Sequence, residues 1–279
     1  MNFPAFDDSL PFLNQFILGL VDEYRTGRID SWDALDERVK AFFTPERMEQ
    51  MEARVPGWRK MAFYSDGITL THVMCVFLGV FIMPEFQALT PEEQQLAKWI
   101  VLFHDVDKFH IRGKKDTMHA FRSGVVTAKT LPTFGFPVTG KYHVLIHAWS
   151  ELTLSAFTVH DDAGAPKPDN QKLPEILNGV DQLFGENSPA SLITKVVLLH
   201  ISLSVDPLYP TPAPLTEVEI KRFITPTLLP LLKVMMMGDN EGWSLFEPET
   251  RQRQRKDTLT AFREVKKITA GQFMESAIE

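Results

Sequence analysis

The chain has 279 residues, of which 44% are hydrophobic and 23% are charged, and its formal net charge is −7. These values predict one large or two small soluble domains with a sizeable core, and they exclude the basic surface that broad nucleic-acid binding requires. A local basic pocket for a small phosphate remains compatible with this composition. Cys75 is the single cysteine, so no disulfide forms within the chain and a cytoplasmic location is expected.

The sequence has neither the features of a secretory signal nor those of a transmembrane helix. The first nine residues contain two aspartates and no basic side chain. The longest apolar runs, 73–83 and 228–237, are much shorter than the roughly 20 residues that cross a bilayer. We therefore expect a soluble protein without a membrane partner.

Apolar residues recur along the chain with the spacing of helices, and prolines and glycines separate the segments. The segment 68–83 is apolar nearly all round, as expected for a central helix. The segment 160–172 is polar and rich in proline and glycine, which predicts a long loop serving as a lid or an insertion. Predicted helices cover residues 11–24, 32–43, 45–54, 68–83, 91–105, 117–131, 142–157, 174–184, 189–204, 217–224, 231–237 and 250–267.

Local signals predict where several of these helices begin and end. Thr90 with Glu93, and Thr216 with Glu219, have the spacing of capping boxes. Prolines at 84 and 132 are expected to end the helices that precede them. The last helix is highly charged, which predicts that it forms a solvated outer layer. Ser9 and Asp116 are two further expected N-caps, and helices are expected to begin at Thr44-Pro45 and at Ser188-Pro189.

Imidazole and carboxylate side chains stand on inward faces or at ends of separate predicted helices. Divalent metals bind such mixed ligands when rigid elements bring them to one point. His104 and Asp105 end an apolar stretch, where a carboxylate needs a partner. We therefore predict a site for one or two divalent ions of Mn, Fe, Mg, Ni or Zn. Its expected ligands are His72, His104, Asp105, His119, His200 and Asp239.

Two of these ligands have rivals in the sequence. His147 is an alternative to His200, and choosing His200 makes the stretch near 141–187 an insertion. Asp206 also ends a predicted helix and is an alternative to Asp239, although its place before a proline-rich connection suits a turn. The remaining histidines, at 110, 143 and 160, are expected at the surface or in loops.

Two cationic residues lie close to these ligands in the sequence. Lys108 follows His104 by four residues and is either a ligand of a substrate phosphate or a surface lysine. Arg122 lies one turn after His119 on the same side of a predicted helix. Its guanidinium suits a bidentate phosphate contact and equally an ion pair with a neighbouring acid.

The order of these residues resembles the HD-domain superfamily of metal-dependent phosphohydrolases. Asp107 stands where that family usually has glycine. The resemblance extends over residues 67–243 and implies an all-α HD bundle with metal ligands at the six positions above. It also implies that Asp105 bridges two metals. The segments that carry the resemblance are 71–73, 103–108, 119–124, 198–200 and 237–242.

The resemblance implies hydrolysis of a phosphate ester, in a nucleotide or another small phosphorylated molecule, by a metal-activated water. Asp105 and Lys108 are then the catalytic residues, and Lys108 and Arg122 bind the substrate. It divides the chain into an N-terminal helical extension (1–65), an HD domain (66–245) and a charged C-terminal helix (246–279). A homo-oligomer is compatible with this arrangement.

Two other functions fit the same residues. One is a di-iron oxygenase related to myo-inositol oxygenase, which has the same fold and a similar ligand set. The other is a non-catalytic protein that binds a nucleotide or phosphate. The departure from the family pattern at Asp107 favours this function, and the presence of His72, His104 and Asp105 argues against it. Metal identity separates the first of these from a hydrolase.

Overall fold

The computed structural model describes residues 2–63, 67–109, 116–156, 159–160, 166–167, 169–203 and 213–275. Within these ranges the chain is all-α, as predicted, with a single two-residue antiparallel pair between β1 (Val159–His160) and β2 (Pro166–Lys167). None of the described helices is both long enough and apolar enough to span a membrane. The helices are α1 (Phe6–Ser9), α2 (Pro11–Arg25), α3 (Trp32–Phe42), α4 (Pro45–Arg54), α5 (Trp58–Phe63), α6 (Ile68–Ile82), α7 (Pro84–Gln87), α8 (Pro91–Phe103), α9 (His119–Thr130), α10 (Tyr142–Leu154), α11 (Leu173–Phe184), α12 (Pro189–Leu199), α13 (Glu217–Phe223), α14 (Leu228–Gly242) and α15 (Pro248–Glu275).

Helix α6 is the centre of the core. Every residue from Thr69 to Phe81 is buried, because α2, α3, α5, α8 and α14 all pack against this helix. A helix that is apolar all round has no solvent face, so its few polar side chains must find partners inside the protein. His72 is one of these side chains and is fully buried.

Two helix pairs that carry candidate ligands approach each other closely through glycine. In α14, a Cβ atom at Gly238 would lie 2.5 Å from Val80 Cγ2 of α6, and one at Gly242 would lie 2.8 Å from Val76 Cγ2. In α9, a Cβ atom at Gly124 would lie 2.5 Å from Leu198 Cδ2 of α12. Because no real Cβ atom tolerates such contacts, glycine is what lets these backbones meet, and each pair carries candidate ligands.

The predicted helix starts are confirmed where the signal is a side-chain cap. Both capping boxes are present, at Thr90 and at Thr216. Thr44 and Ser188, at two other predicted helix starts, also accept backbone N–H groups. The prediction for Ser9 is wrong, because that residue ends α1 and Leu10 precedes α2.

Other boundaries differ from prediction for local reasons. Asp116 accepts N–H groups from Phe109 and Met118, so it closes the turn before α9, and the helix itself begins at His119. Helix α9 ends at Thr130, close to the end predicted from Pro132, and a 3₁₀ turn, Leu131–Phe134, follows it. Arg112, Lys114 and Lys115, and residues 161–165 and 168 of the predicted loop 160–172, lie outside the described residues.

Helix α14 is longer than predicted at both ends. Pro230 sits in its first turn, where proline lacks only an N–H that would have no partner anyway, so the helix begins at Leu228. It continues to Gly242, so Asp239 lies inside the last turn and not after it. The helical position lets α14 hold Asp239 rigidly against α6.

The C-terminal helix is more than the solvated layer that its charge suggests. Helix α15 packs on α13 and α14, and it buries Thr258, Phe262 and Val265. Glu241 of α14 is fully buried and accepts hydrogen bonds of 2.8 Å from Arg251 and from Arg255 of α15. Two guanidinium groups therefore lock α15 onto the helix that carries Asp239.

Candidate metal centre

The six side chains predicted as metal ligands converge in the core. They form two groups that could each hold a metal ion, and Asp105 belongs to both. Asp239 is the least buried of the six, with a side chain that is 16% exposed. The first group contains His72, His104, Asp105 and Asp239, and the second contains Asp105, His119 and His200.

In the first group the ligand atoms face a common point. His72 Nε2 lies 2.9 Å from Asp239 Oδ1 and 3.6 Å from Asp105 Oδ2. His104 Nε2 lies 3.5 Å from the same Asp105 Oδ2 and 3.9 Å from Asp239 Oδ1. His72 lies on α6, Asp239 lies on α14, and His104 and Asp105 directly follow α8. Gly242 is what allows α14 to approach His72.

The second group uses the other oxygen of Asp105. Oδ1 lies 3.2 Å from His119 Nε2 and 3.8 Å from His200 Nε2. The two Nε2 atoms are only 3.1 Å apart. Asp105 therefore presents one carboxylate oxygen to each group, which is the arrangement of a bridging ligand.

Main-chain carbonyls orient three of the four imidazoles. The Nδ1 atoms of His104, His119 and His200 lie 2.6 to 2.8 Å from carbonyl oxygens three residues earlier in the chain. For His104 and His200 these carbonyls belong to the last turns of α8 and α12, where helices leave carbonyls without an internal partner. A carbonyl only accepts, so each Nδ1 carries the proton and each Nε2 keeps its lone pair.

This tautomer leaves lone pairs facing each other across the second group. Burial lowers the pKa of His200 to about 3. Burial and the Lys108 cation also lower the pKa of His119, so both rings are neutral near pH 7. Two neutral Nε2 acceptors 3.1 Å apart repel each other unless a cation lies between them. The pair thus has the electronic arrangement of two metal ligands.

His72 is held differently, by aromatic stacking. Its ring lies parallel to Trp243 with centroids 4.0 Å apart, and Trp243 in turn stacks on Trp32 at 5.6 Å. The sequence analysis did not identify Trp243 as part of the site. Its position four residues after Asp239, directly after α14, is the signal that could have placed it there. The indole is 40% exposed, so it forms part of the surface beside the centre.

Several buried polar atoms of the centre have no hydrogen-bond partner. Among the described residues these include His104 Nε2, Asp105 Oδ1 and His72 Nδ1. An unsatisfied buried polar atom costs about 1–3 kcal/mol, so such a concentration needs a compensating partner. His104 Nε2 and Asp105 Oδ1 point into the centre, and a metal ion fits both. Four imidazoles among six ligands favour a transition metal over Mg²⁺, which prefers oxygen.

Lys108 is not a surface lysine. Its side chain is 16% exposed, and Nζ donates to Asp105 Oδ2 over 2.6 Å. Burial lowers the pKa of Lys108, but the carboxylates of Asp105 and Asp239 outweigh burial and raise it overall. Burial likewise raises the pKa of Asp105, yet Lys108 and the neighbouring imidazoles hold it well below its usual range. The centre therefore contains two carboxylates and one ammonium near neutral pH.

Arg122 forms the ion pair that was one of its two alternatives. Its guanidinium donates to the main-chain carbonyl of Asp107, at 3.0 and 3.2 Å, and pairs closely with Asp116. It also lies 4.7 Å from the centroid of Phe109. These contacts fix the turn after Asp105 to the start of α9 and use the Nε and Nη2 donors of the guanidinium.

The rival ligands separate clearly. His147 is exposed on α10, where it lies 3.5 Å from Glu151, so the choice of His200 is supported by position. Asp206 lies outside the described residues, while Asp239 lies in the centre. His143 is exposed, as expected. His110 lies outside the described residues.

Comparison with known proteins adds no template for this centre. No protein-family model, curated protein or solved structure matches the chain. The interpretation of the site therefore depends on its own geometry: two groups of neutral imidazoles and carboxylates that share Asp105. Such a site can hold two cations a short distance apart.

Proposed function

We propose that this chain is a metal-dependent phosphohydrolase of the HD-domain superfamily, which hydrolyses a phosphate ester in a nucleotide or another small phosphorylated molecule. The observation that carries the proposal is Asp105, which turns one carboxylate oxygen toward each of two groups of imidazoles. Paired cations bridged in this way suit a phosphoryl group, whose several oxygens need simultaneous contacts.

The residues divide naturally between two cations. His72, His104 and Asp239 would hold one, His119 and His200 would hold the other, and Asp105 would lie between them. Divalent ions bound there supply a hydroxide near neutral pH and offset the charge of the phosphoryl group. His104, His119 and His200 need no deprotonation of Nε2 to serve as ligands, because their Nε2 lone pairs already face inward.

We assign contact with the substrate phosphate to Lys108. Its ammonium lies 2.6 Å from Asp105 Oδ2 and 5.8 Å from the ring centroid of the partly exposed Trp243. The raised pKa keeps Lys108 protonated, so it acts as a donor and a positive charge and not as a base. Arg122 is a positioning residue that supports the turn carrying Asp105 and Lys108.

A di-iron oxygenase is the second candidate, and the number of imidazoles favours it. Four histidines among six ligands suit iron at least as well as the metals of hydrolases. The two functions differ in what the substrate loses and in whether dioxygen is consumed. Iron content and dioxygen uptake therefore decide between them.

The test measures metal content and phosphate release on the full chain. Gently purified protein should contain about one or two transition-metal ions per chain and should release phosphate from at least one member of a panel of nucleotides and phosphate esters. Asp105→Asn should lose both properties. Asp107→Asn is the matched control, because this carboxylate lies two residues away and pairs with Lys60 at 3.2 Å outside the centre.

Each other outcome has a definite meaning. A full metal load in Asp105→Asn would refute the site. Iron-loaded protein that consumes dioxygen in a substrate-dependent way, without releasing phosphate, would replace the hydrolase by the oxygenase. Metal-loaded protein that binds nucleotides without either reaction would identify a binding protein.

A further inference from the structure

A second feature of the molecule is a basic groove along α15, where this helix packs on α14. The groove has a volume of about 830 Å³. Its lining contains one acidic side chain, Glu249, and none of the residues of the metal centre. This excess of positive charge is unexpected in a chain whose net charge is −7. The cationic side chains are Lys233, Arg253, Arg255, Lys256 and Arg263.

The cations of the groove fall into two kinds. Arg255 lies 2.8 Å from Glu241 and 2.6 Å from Glu85, and Lys233 lies 3.9 Å from Glu85, so these two cations already have carboxylate partners. No carboxylate of the described residues pairs with Arg253 or Lys256, and Arg263 has only the hydroxyl of Thr260 at 2.8 Å. These three side chains keep their charge available to a ligand.

The available cations lie in a row. Arg253, Lys256 and Arg263 occupy positions i, i+3 and i+10 of one helix, which places them on the same side. Ten residues of helix span about 15 Å, so the row can contact more than one phosphate group at once. Guanidinium groups add bidentate contacts to phosphate oxygens, and ammonium adds a point charge.

The base of the groove is apolar. Leu259 and Phe262 lie between the cationic positions along α15, and Phe262 is almost fully buried. An apolar base with charged groups at the rim suits a ligand that has a planar or apolar part as well as phosphates. The volume also lies within the range of about 300–1,000 Å³ that small-molecule sites occupy.

We propose that this groove binds a small molecule with several phosphate groups, of the class of nucleoside triphosphates. Arg253, Lys256 and Arg263 contact the phosphates, and Leu259 with Phe262 contacts the remaining part. The site is independent of the proposed hydrolytic function, because it shares no residue with the metal centre.

The test is calorimetric titration of the full chain with inorganic tripolyphosphate and with ATP, at low and at physiological salt. Both should bind, and Arg253→Gln with Lys256→Gln should weaken both by about tenfold or more, since two charge-assisted contacts are lost. Lys129→Gln with Lys141→Gln is the charge-matched control, on α9 and at the start of α10, and should change the affinity less than about twofold.

Further variants separate this groove from the metal centre. Asp105→Asn should retain tripolyphosphate binding even though it loses metal, so failure of the hydrolase proposal leaves this one standing. Loss of binding in Asp105→Asn, equal affinity in the groove and control variants, or absence of binding in the unchanged chain would each overturn the proposal. Binding to phosphatidylserine vesicles without binding to tripolyphosphate would also overturn it, in favour of a membrane surface. Circular dichroism of each variant checks that it is folded.

Discussion

Asp239 and Glu241 of α14 each belong to a buried charged cluster, and the two clusters differ in the balance of hydrogen-bond donors and acceptors. Around Glu241, the carboxylate oxygens each accept a guanidinium hydrogen bond of 2.8 Å, so donors and acceptors match. Around Asp239, carboxylates and imidazole lone pairs outnumber the donors, and Lys108 is the sole permanently cationic side chain described there. In a matched buried cluster every charged group has its partner, so the cluster serves to hold the helices together. A cluster with surplus acceptors has a place for a cation.

The largest expected effect comes from breaking the matched cluster. Glu241→Ala should lower the free energy of unfolding by about 3 kcal/mol or more, because Arg251 and Arg255 would lose their shared buried carboxylate. Urea unfolding measures this loss, which should be equal with and without a chelator. Glu264→Ala is the control, since its pair with Lys267 is exposed and should be worth less than about 0.5 kcal/mol. A small loss in Glu241→Ala would mean that solvent replaces the pairing.

The cluster with surplus acceptors should instead show a stability that depends on metal. At a metal concentration of 100 times its Kd, the bound ion should raise the free energy of unfolding of the unchanged chain by about 2.7 kcal/mol over the chelated form. Asp105→Asn and His72→Ala should lose this increment, while Glu241→Ala should keep it. If His72→Ala keeps the full increment and is destabilised equally in the chelated form, His72 is a packing residue.

A smaller effect should arise where α14 touches α6. The new Cβ atom in Gly242→Ala would lie 2.8 Å from Val76 Cγ2 and 3.4 Å from His72 Cε1. The helices must separate, which should cost about 1–3 kcal/mol and should weaken metal binding. Gly19→Ala is the opposite case, an exposed helical glycine with open space around its Cβ position, and should stabilise by up to about 1 kcal/mol. Equal metal affinity in Gly242→Ala and the unchanged chain would show that the centre tolerates displacement of α14.

The smallest effect concerns the edge of the matched cluster and depends on pH. Burial raises the pKa of Glu85, but the hydrogen bond from Arg255, a backbone hydrogen bond and the charges of Arg255 and Lys233 together outweigh burial, so the pKa is lowered overall. A lowered carboxyl pKa stabilises the native state above the unfolded pKa and loses this contribution as the pH falls through the folded value. Glu85→Gln should therefore cost at most about 1 kcal/mol at pH 7, because solvent screens the pair, and almost nothing near pH 3. An equal cost at both pH values would assign the effect to packing.

Local signals in the sequence predicted where several helices begin. Hydroxyl caps at Thr44, Thr90, Ser188 and Thr216 act over three residues, so the sequence contains all that is needed to recognise them. Helices of four to six residues, such as α1, α5 and α7, were missed because they are too short to show a periodic pattern. Ser9 was wrong as a cap because α1 had not been foreseen.

The ligand set of the candidate site followed from residue type and order, but its electronic arrangement did not. Nothing in the sequence indicates that His119 and His200 face each other at 3.1 Å, because this depends on the contact of α9 with α12 at Gly124. The pairing of Glu241 with α15 was also missed. Charge along the last helix predicts a solvated surface, and only the position of the buried Glu241 on another helix shows that some of these cations are buried partners.

The main-chain carbonyls that orient the imidazoles have a consequence for how this protein can vary. The carbonyls of Val101, Asp116 and Val197 hold the rings of His104, His119 and His200. A substitution changes a side chain and leaves the carbonyl of that residue in place. Positions 101 and 197 can therefore drift among residues of similar size without misaligning a ligand, which makes this part of the centre robust to mutation.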